Sequence, residues 1–456
     1  MTTPATLTPV ERTLNLFTEV RRGEAASVLL LALNIFLILT AYYILKPVRE
    51  ALILSGDGGA EIKSYVAAGQ TLLLLGAVPL YAWFAGRHDR RALINRVTVF
   101  FAACLAAFYF LAIAGAPVAI AFYLWVGIFN LMVPAQFWAF ANDIYTPETG
   151  KRLFVIVAFG ASAGAVFGSF IAGHLIEPVG IYQLLLVSAG VLLASLVFTN
   201  HIDSRERRAA TSAQPGAAED APLGKSGAFR LVLKNRYLLL IALLMLFLNW
   251  VNTTGEYILG RTVKEAASAL LAADPAAAPD EETFIGHFYA DFFTVVNIAG
   301  LLLQLFVVSR VLKYLGVRTA IFILPLIALG GYLVAAFYPL LAMVRWVKTA
   351  ENATDYSLQN TVRQVLFLPT TREQKYKAKQ AIDTFFVRSG DVLSALLVFA
   401  GTTWFALSTR QFALINILLV CAWLLLAFLV GREHRRLVTQ PGHTTVAGGP
   451  VSDTSS

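Results

Sequence analysis

The sequence predicts an all-α polytopic membrane protein with twelve transmembrane helices in two six-helix bundles. Three observations carry this. Apolar runs of about 20 residues, the length a bilayer core demands, recur along the chain. Lys and Arg fall almost entirely in alternate loops, and a polar stretch divides the runs six and six.

The runs occupy residues 25–45, 64–85, 97–115, 119–141, 153–175, 181–199, 237–259, 285–308, 320–337, 340–359, 384–407 and 411–430. Those at 340–359 and 384–407 carry charges and are assigned from context. The first follows a polar stretch with acidic residues, exceeds a signal h-region and lacks a small-residue cleavage site, so it is expected to be retained. It should end at Lys46-Pro47, because proline removes a helical hydrogen bond. Residues 1–200 form the first bundle and 201–228, rich in Ala, Ser, Pro, Gly and charge, a flexible linker. The second bundle spans 229–436, and 437–456 reads as a disordered tail. The Ala-rich stretch between Val263 and Glu282 holds two prolines and is expected as an outer loop.

Orientation follows from basic residues being retained on the cytoplasmic side. One set of loops holds Arg21, Arg22, Arg87, Arg90, Arg91, Arg96, Lys151 and Arg152, and later the basic groups at 205–236, 310–318, 372–379 and 432–436. The opposite set has Lys46, Arg49, Lys63, Arg261, Lys264 and Arg410. Both termini are expected in the cytoplasm, with the chain in the cell inner membrane. Topology then accounts for the net charge of +8, and no nucleic-acid partner is expected. Cys104 and Cys421 both lie in apolar runs, where they act as small hydrophobes. Walker, nucleophile-elbow and zinc motifs are absent, so neither cofactor nor metal is implied.

Charges at bilayer depth cost about 2.5–3.5 kcal/mol on insertion scales, so they normally face a partner or a wet cavity. The first run offers Asn34, Tyr42 and Lys46. The seventh sets Asn249, Asn252 and Glu256 on one face, and the eighth aligns His287, Asp291, Thr294 and Asn297. The tenth carries Arg345, Lys348, Asn352 and Asp355, and the eleventh Arg388 and Asp391. Lys46 and Arg345 are expected to hold an anion, with Tyr42, Asn34, Asn249, Asn252, Glu256, Lys348 and Asn352 lining the same site. Asp291, Asp355, Arg388 and Asp391 form the expected ion-pair or coupling network. The series Gly160, Gly164 and Gly168 should let two helices approach closely. Tyr43-Ile44-Leu45 and Tyr257-Ile258-Leu259, each followed by a Val-basic-Glu ending, repeat at corresponding helices, as in carriers made of parallel repeats.

Lys46-Pro47-Val48-Arg49-Glu50, Phe137-Trp138 with Ala141-Asn142-Asp143, Lys151-Arg152-Leu153-Phe154 and the Lys375–Asp383 segment resemble the ATP/ADP translocase family of plastids and intracellular bacteria. That family is similar in architecture to the major facilitator superfamily. The resemblance implies a substrate-contacting lysine at Lys46. The chain departs from the family at Trp125-Val126-Gly127, where an acidic residue is typical, and at Gly390-Asp391, where Gly-Lys is typical.

The leading expectation is a secondary transporter of a small anionic metabolite, with nucleotides as candidates, working as a monomer by alternating access. The alternatives are a membrane-embedded enzyme on lipid-linked substrates and a non-transporting sensor or scaffold. The first would gather His and acidic residues at one membrane face, and the second would need a folded soluble domain.

Overall fold

The computed structural model describes residues 8–15, 18–21, 23–85, 87, 90–210, 228–274, 280–371 and 374–439, and among them the chain is helical with no strand. The long helices are α1 (Glu24–Leu54), α2 (Gly59–Ala85), α3 (Arg90–Ile113), α4 (Ala119–Ile144), α5 (Pro147–Val179) and α6 (Gln183–Ala210). They continue as α7 (Arg236–Ala273), α8 (Glu281–Phe306), α9 (Gly316–Phe337) and α10 (Leu341–Thr354, carried through a π turn, Asp355–Gln359, into Asn360–Leu366). Helix α11 is assembled from Gln374–Ala378, Lys379–Ala381, Ile382–Phe386 and Val387–Thr403, and α12 is Thr409–Thr439. Among the described residues ten of these, α1, α3 to α9, α11 and α12, are long and apolar enough to cross a bilayer, so this is an integral membrane protein.

Helix α1 packs on α4, α5 and α6, and α3 on α6. In the second half α12 packs on α7 and α9, and α7 on α11. The halves meet where α8 lies against α1 and α5, and where α2 lies against α11 and α7. The glycine series explains the tight α1–α5 contact. A Cβ on Gly160, Gly164 or Gly168 would overlap the backbone carbonyls of Ala32, Phe36 and Thr40 respectively. Backbone cannot step aside as a side chain can, so Gly164→Val is expected to cost about 1–3 kcal/mol by overpacking. It should lower the thermal midpoint in detergent. An unchanged midpoint would mean that α1 and α5 are not in this contact.

Four helix ends differ from expectation, the last being α12, which runs to Thr439 and so takes residues 437–439 of the stretch expected as a disordered tail. Helix α1 does not stop at Pro47 but continues to Leu54. Within a packed membrane bundle, neighbouring groups can re-satisfy the backbone that proline frees. Lys46, Arg49 and Glu50 therefore stay helical. Helix α7 likewise runs past Leu259 to Ala273, through much of the stretch expected as outer loop; residues 275–279 lie outside the described residues. Helix α6 extends to Ala210, inside the expected linker. The rest of that linker, 211–227, and the tail beyond Thr439 lie outside the described residues.

Candidate functional site

A polar cavity of about 300 Å³ opens between the two halves. Its walls come from α1, α2 and α4 on one side and from α7, α8, α10 and α11 on the other. The helix extensions make this possible. Because α1 passes through Pro47, Lys46, Arg49 and Glu50 are presented by one continuous helix.

The first-half wall is cationic. Glu50, 1% exposed, accepts from Arg49 Nε at 3.1 Å and lies 2.6 Å from Lys63 Nζ, so one carboxylate serves two cations. The Arg49 guanidinium also sits 4.5 Å from the Tyr123 ring centroid. Lys46 is different: among the described residues it has no carboxylate within ion-pair distance. Its Nζ lies 3.4 Å from the Tyr356 hydroxyl and 3.9 Å from the centroid of Phe293, both from the other half. The π turn in α10 holds Tyr356 there. One extra residue in a turn rotates the face by roughly 100°, and such turns recur at functional sites.

The second-half wall is acidic. Glu256 Oε1 accepts from Asn352 at 3.1 Å and lies 3.4 Å from Lys348. Lys348 is 1% exposed, donates to Asn252 Oδ1 at 2.9 Å and also pairs with Glu351 at 3.2 Å. Asp391 Oδ1 accepts from Asn249 at 2.7 Å and from Thr253 at 2.8 Å, while Oδ2 pairs with Arg388 at 3.3 Å. Asp391→Asn is expected to weaken this clamp, since Arg388 would lose its charged partner while Thr253 keeps an acceptor. A lower melting temperature in detergent, by a few degrees, checks it; no change would make the clamp irrelevant to the fold.

Beyond the cavity the halves are tied together at one end. Lys264 donates to the Gly56 carbonyl, Tyr257 donates to Glu61 at 2.9 Å, and Tyr182 donates to Glu282 at 3.2 Å. His287 Nε2 lies 3.2 Å from Glu177. Toward mid-depth, Asn297 of α8 donates to Ser169 and to the Ala165 carbonyl of α5, both at 3.2 Å.

Of the residues singled out from sequence, Lys46, Asn252, Glu256, Asn352, Arg388 and Asp391 line the cavity, and Asn249 and Lys348 brace it from behind. Others do not belong there. Asn34 is fully buried on α1 and donates to Thr199 of α6 at 2.7 Å, a contact inside the first half. Tyr42 is buried against Phe129. Arg345, expected to bind the anion, sits outside the cavity with its guanidinium 5.6 Å from the Phe288 ring centroid. The inward position on α10 belongs to Lys348, one turn on. Asp291 is exposed beside Gly173 of α5, and the network expected to join it to Arg388 and Asp391 is not formed. Asp355 opens the π turn and is not part of the lining.

Sequence reading missed Arg49, Glu50 and Lys63 as site residues, having placed the two cations in outer loops. Apolar runs end where charges begin, so charges inside an extended helix read as loop. The Val-basic-Glu repeat was the signal, since it marks Arg49-Glu50 in a helix that has a counterpart in α7. Within the departing Trp125-Val126-Gly127 stretch, the Gln70 amide from α2 occupies the space that a side chain at 127 would need.

Helices of membrane-spanning length enclosing a charged cavity between two halves define an integral membrane protein of transporter-like fold. The sequence matches the Major Facilitator Superfamily over residues 31–349, and the chain belongs to that superfamily. It is 26% identical over 351 residues to ADP,ATP carrier protein 1 of Chlamydia pneumoniae, covering 65% of this chain and 64% of that one. It is 23% identical over 318 residues to ADP,ATP carrier protein 1 of Chlamydia trachomatis serovar D, covering 60% and 57%. The chain thus spans less than two thirds of the length of these curated relatives. The resemblance carried by the Lys46-Pro47 and Phe137-Trp138 segments is borne out by these matches. Among solved structures, the nucleoside transporter NupG superposes with a TM-score of 0.62 at 12% identity, covering 91% of this chain and 99% of that one. A bacterial homolog to the human lysosomal transporter Spinster, in an inward-facing and unoccupied conformation, gives 0.60 at 15%, covering 93% and 100%. At these identities the likeness concerns the fold alone.

Proposed function

We propose that this protein is a secondary transporter of a small anionic metabolite, working by alternating access, and not an enzyme. One observation carries the reading: Lys46, 8% exposed, reaches the cavity with aromatic partners and no ion-paired carboxylate among the described residues. A cation so placed has donors left for a ligand, and a charge-assisted contact contributes about 1.5–3 kcal/mol. The relatives named as ADP,ATP carriers make nucleotides the first compounds to test. Purified protein in liposomes, loaded with unlabelled compound, should accumulate the labelled form. Lys46→Ala should weaken that accumulation about tenfold or more, and Lys46→Arg should retain part of it. Equal exchange by wild type and Lys46→Ala would remove the anion-carrier reading.

In this reading the twelve long helices are twelve spans in two bundles, residues 1–200 and 229–436. The chain lies in the cell inner membrane with both termini cytoplasmic, because the basic loops fall on the terminal side. His201→Cys should resist an impermeant thiol reagent applied to intact cells while Asp57→Cys reacts. The reverse labelling pattern would invert the topology.

A further inference from the structure

The two cavity walls differ in charge, and each leaves a charged side chain with hydrogen-bonding capacity unused among the described residues. On the first-half wall Lys46 Nζ can donate three hydrogen bonds, and its polar neighbour is the Tyr356 hydroxyl at 3.4 Å. On the second-half wall Glu256 Oε1 is taken by Asn352 and Lys348, whereas Oε2 has Lys63 at 3.9 Å, an ionic but not a hydrogen-bonding distance. Glu256 remains 25% exposed toward the cavity. The remaining charges are already matched: Glu50 serves Arg49 and Lys63, and Asp391 pairs with Arg388. The lining holds four cations against three carboxylates, leaving one positive charge in excess.

From this we infer that the ligand is a small amphoteric molecule with one acid group and one amine, its acid on Lys46 and its amine on Glu256. The inference rests on the carrier reading but narrows its anion to the acid group of a ligand that is neutral as a whole. A polyphosphate brings several negative charges, each needing a cation, and would set them beside Glu256 and Asp391 at a cost in repulsion. A cavity of about 300 Å³ also lies at the lower end of the roughly 300–1,000 Å³ typical of ligand sites. An acid–amine compound answers both side chains. It would also bridge the two halves, drawing Glu256 away from Lys63, the one carboxylate–cation contact between the two walls among the described residues.

The test is binding of small amino acids to the purified full-length protein, each compared with its N-acetyl and methyl-ester forms, with ATP and succinate alongside. Exchange of the best compound is then measured in liposomes. The expected result is saturable binding of an amino acid that falls at least tenfold when either end is blocked. Lys46→Ala should weaken the amino acid but leave the methyl ester unchanged, and Glu256→Gln should do the same for the N-acetyl form. The blocked ligands decide the question even if a variant fails to fold. Lys46-dependent binding of ATP or succinate, indifferent to an amine, overturns the inference and leaves the anion carrier standing. No saturable binding by any acid–amine compound also overturns it. An amino acid that binds but is not exchanged overturns the carrier reading while the ligand class stands.

Discussion

Glu50→Ala is expected to destabilise the protein by about 3–5 kcal/mol, the range for removing one member of a buried ion cluster. The carboxylate is 1% exposed, and its partners Arg49 and Lys63 are 15% and 8% exposed. Without it two cations face each other in a site that water reaches poorly, and neither has another carboxylate at hydrogen-bonding distance among the described residues. Lys63 keeps only Glu256 at 3.9 Å. The measurement is the thermal midpoint and the monodisperse yield in detergent. Glu50→Gln should recover little, because the amide keeps the shape but not the charge. A midpoint within a degree of wild type for both variants would mean that the cluster does not hold α1 and α2 together.

Locking the tied end of the two halves should abolish exchange. Ala51 of α1 and Gly286 of α8 are both buried there, and a Cβ built on Gly286 lies 3.6 Å from the Ala51 Cβ. That falls within the usual disulfide range of about 3.5–4.5 Å. In a background with Cys104 and Cys421 replaced by serine, the Ala51→Cys, Gly286→Cys protein should exchange substrate when reduced. It should fall to background when oxidised and recover with reductant. Alternating access requires this end to separate, and a covalent bond forbids it. Full exchange by the oxidised, cross-linked protein would refute that mechanism.

Much of the architecture is legible in the sequence. The apolar runs located the helices, and the glycine series on α5 marked a close approach whose partner proved to be α1. Lys46 could be named because a lysine at the end of an apolar run must be matched by something polar. Spacing also set Asn249, Asn252 and Glu256 on one face by helical periodicity, and the structure brings Asn252 and Glu256 to the cavity and Asn249 to Asp391 beside it.

Periodicity does not say what that face meets. Arg345 and Lys348 lie one turn apart on α10, yet only Lys348 is enclosed by Glu256, Glu351 and Asn252. Asp291 shares a helix with Asn297, but the packing of α8 on α5 leaves it exposed and outside the cavity lining that holds Asp391. Arg49, Glu50 and Lys63 looked like outer-loop charges because hydropathy stops counting where ions begin. Their burial depends on mutual pairing, which is a property of α1 and α2 lying side by side. The sequence by itself thus determined the helices, the membrane as solvent and the presence of a cation needing a partner, since these follow from local transfer energies. The tertiary structure alone decided which charges neutralise one another and which, like Lys46, face the cavity without a carboxylate partner among the described residues, because that depends on distances between helices remote in the chain.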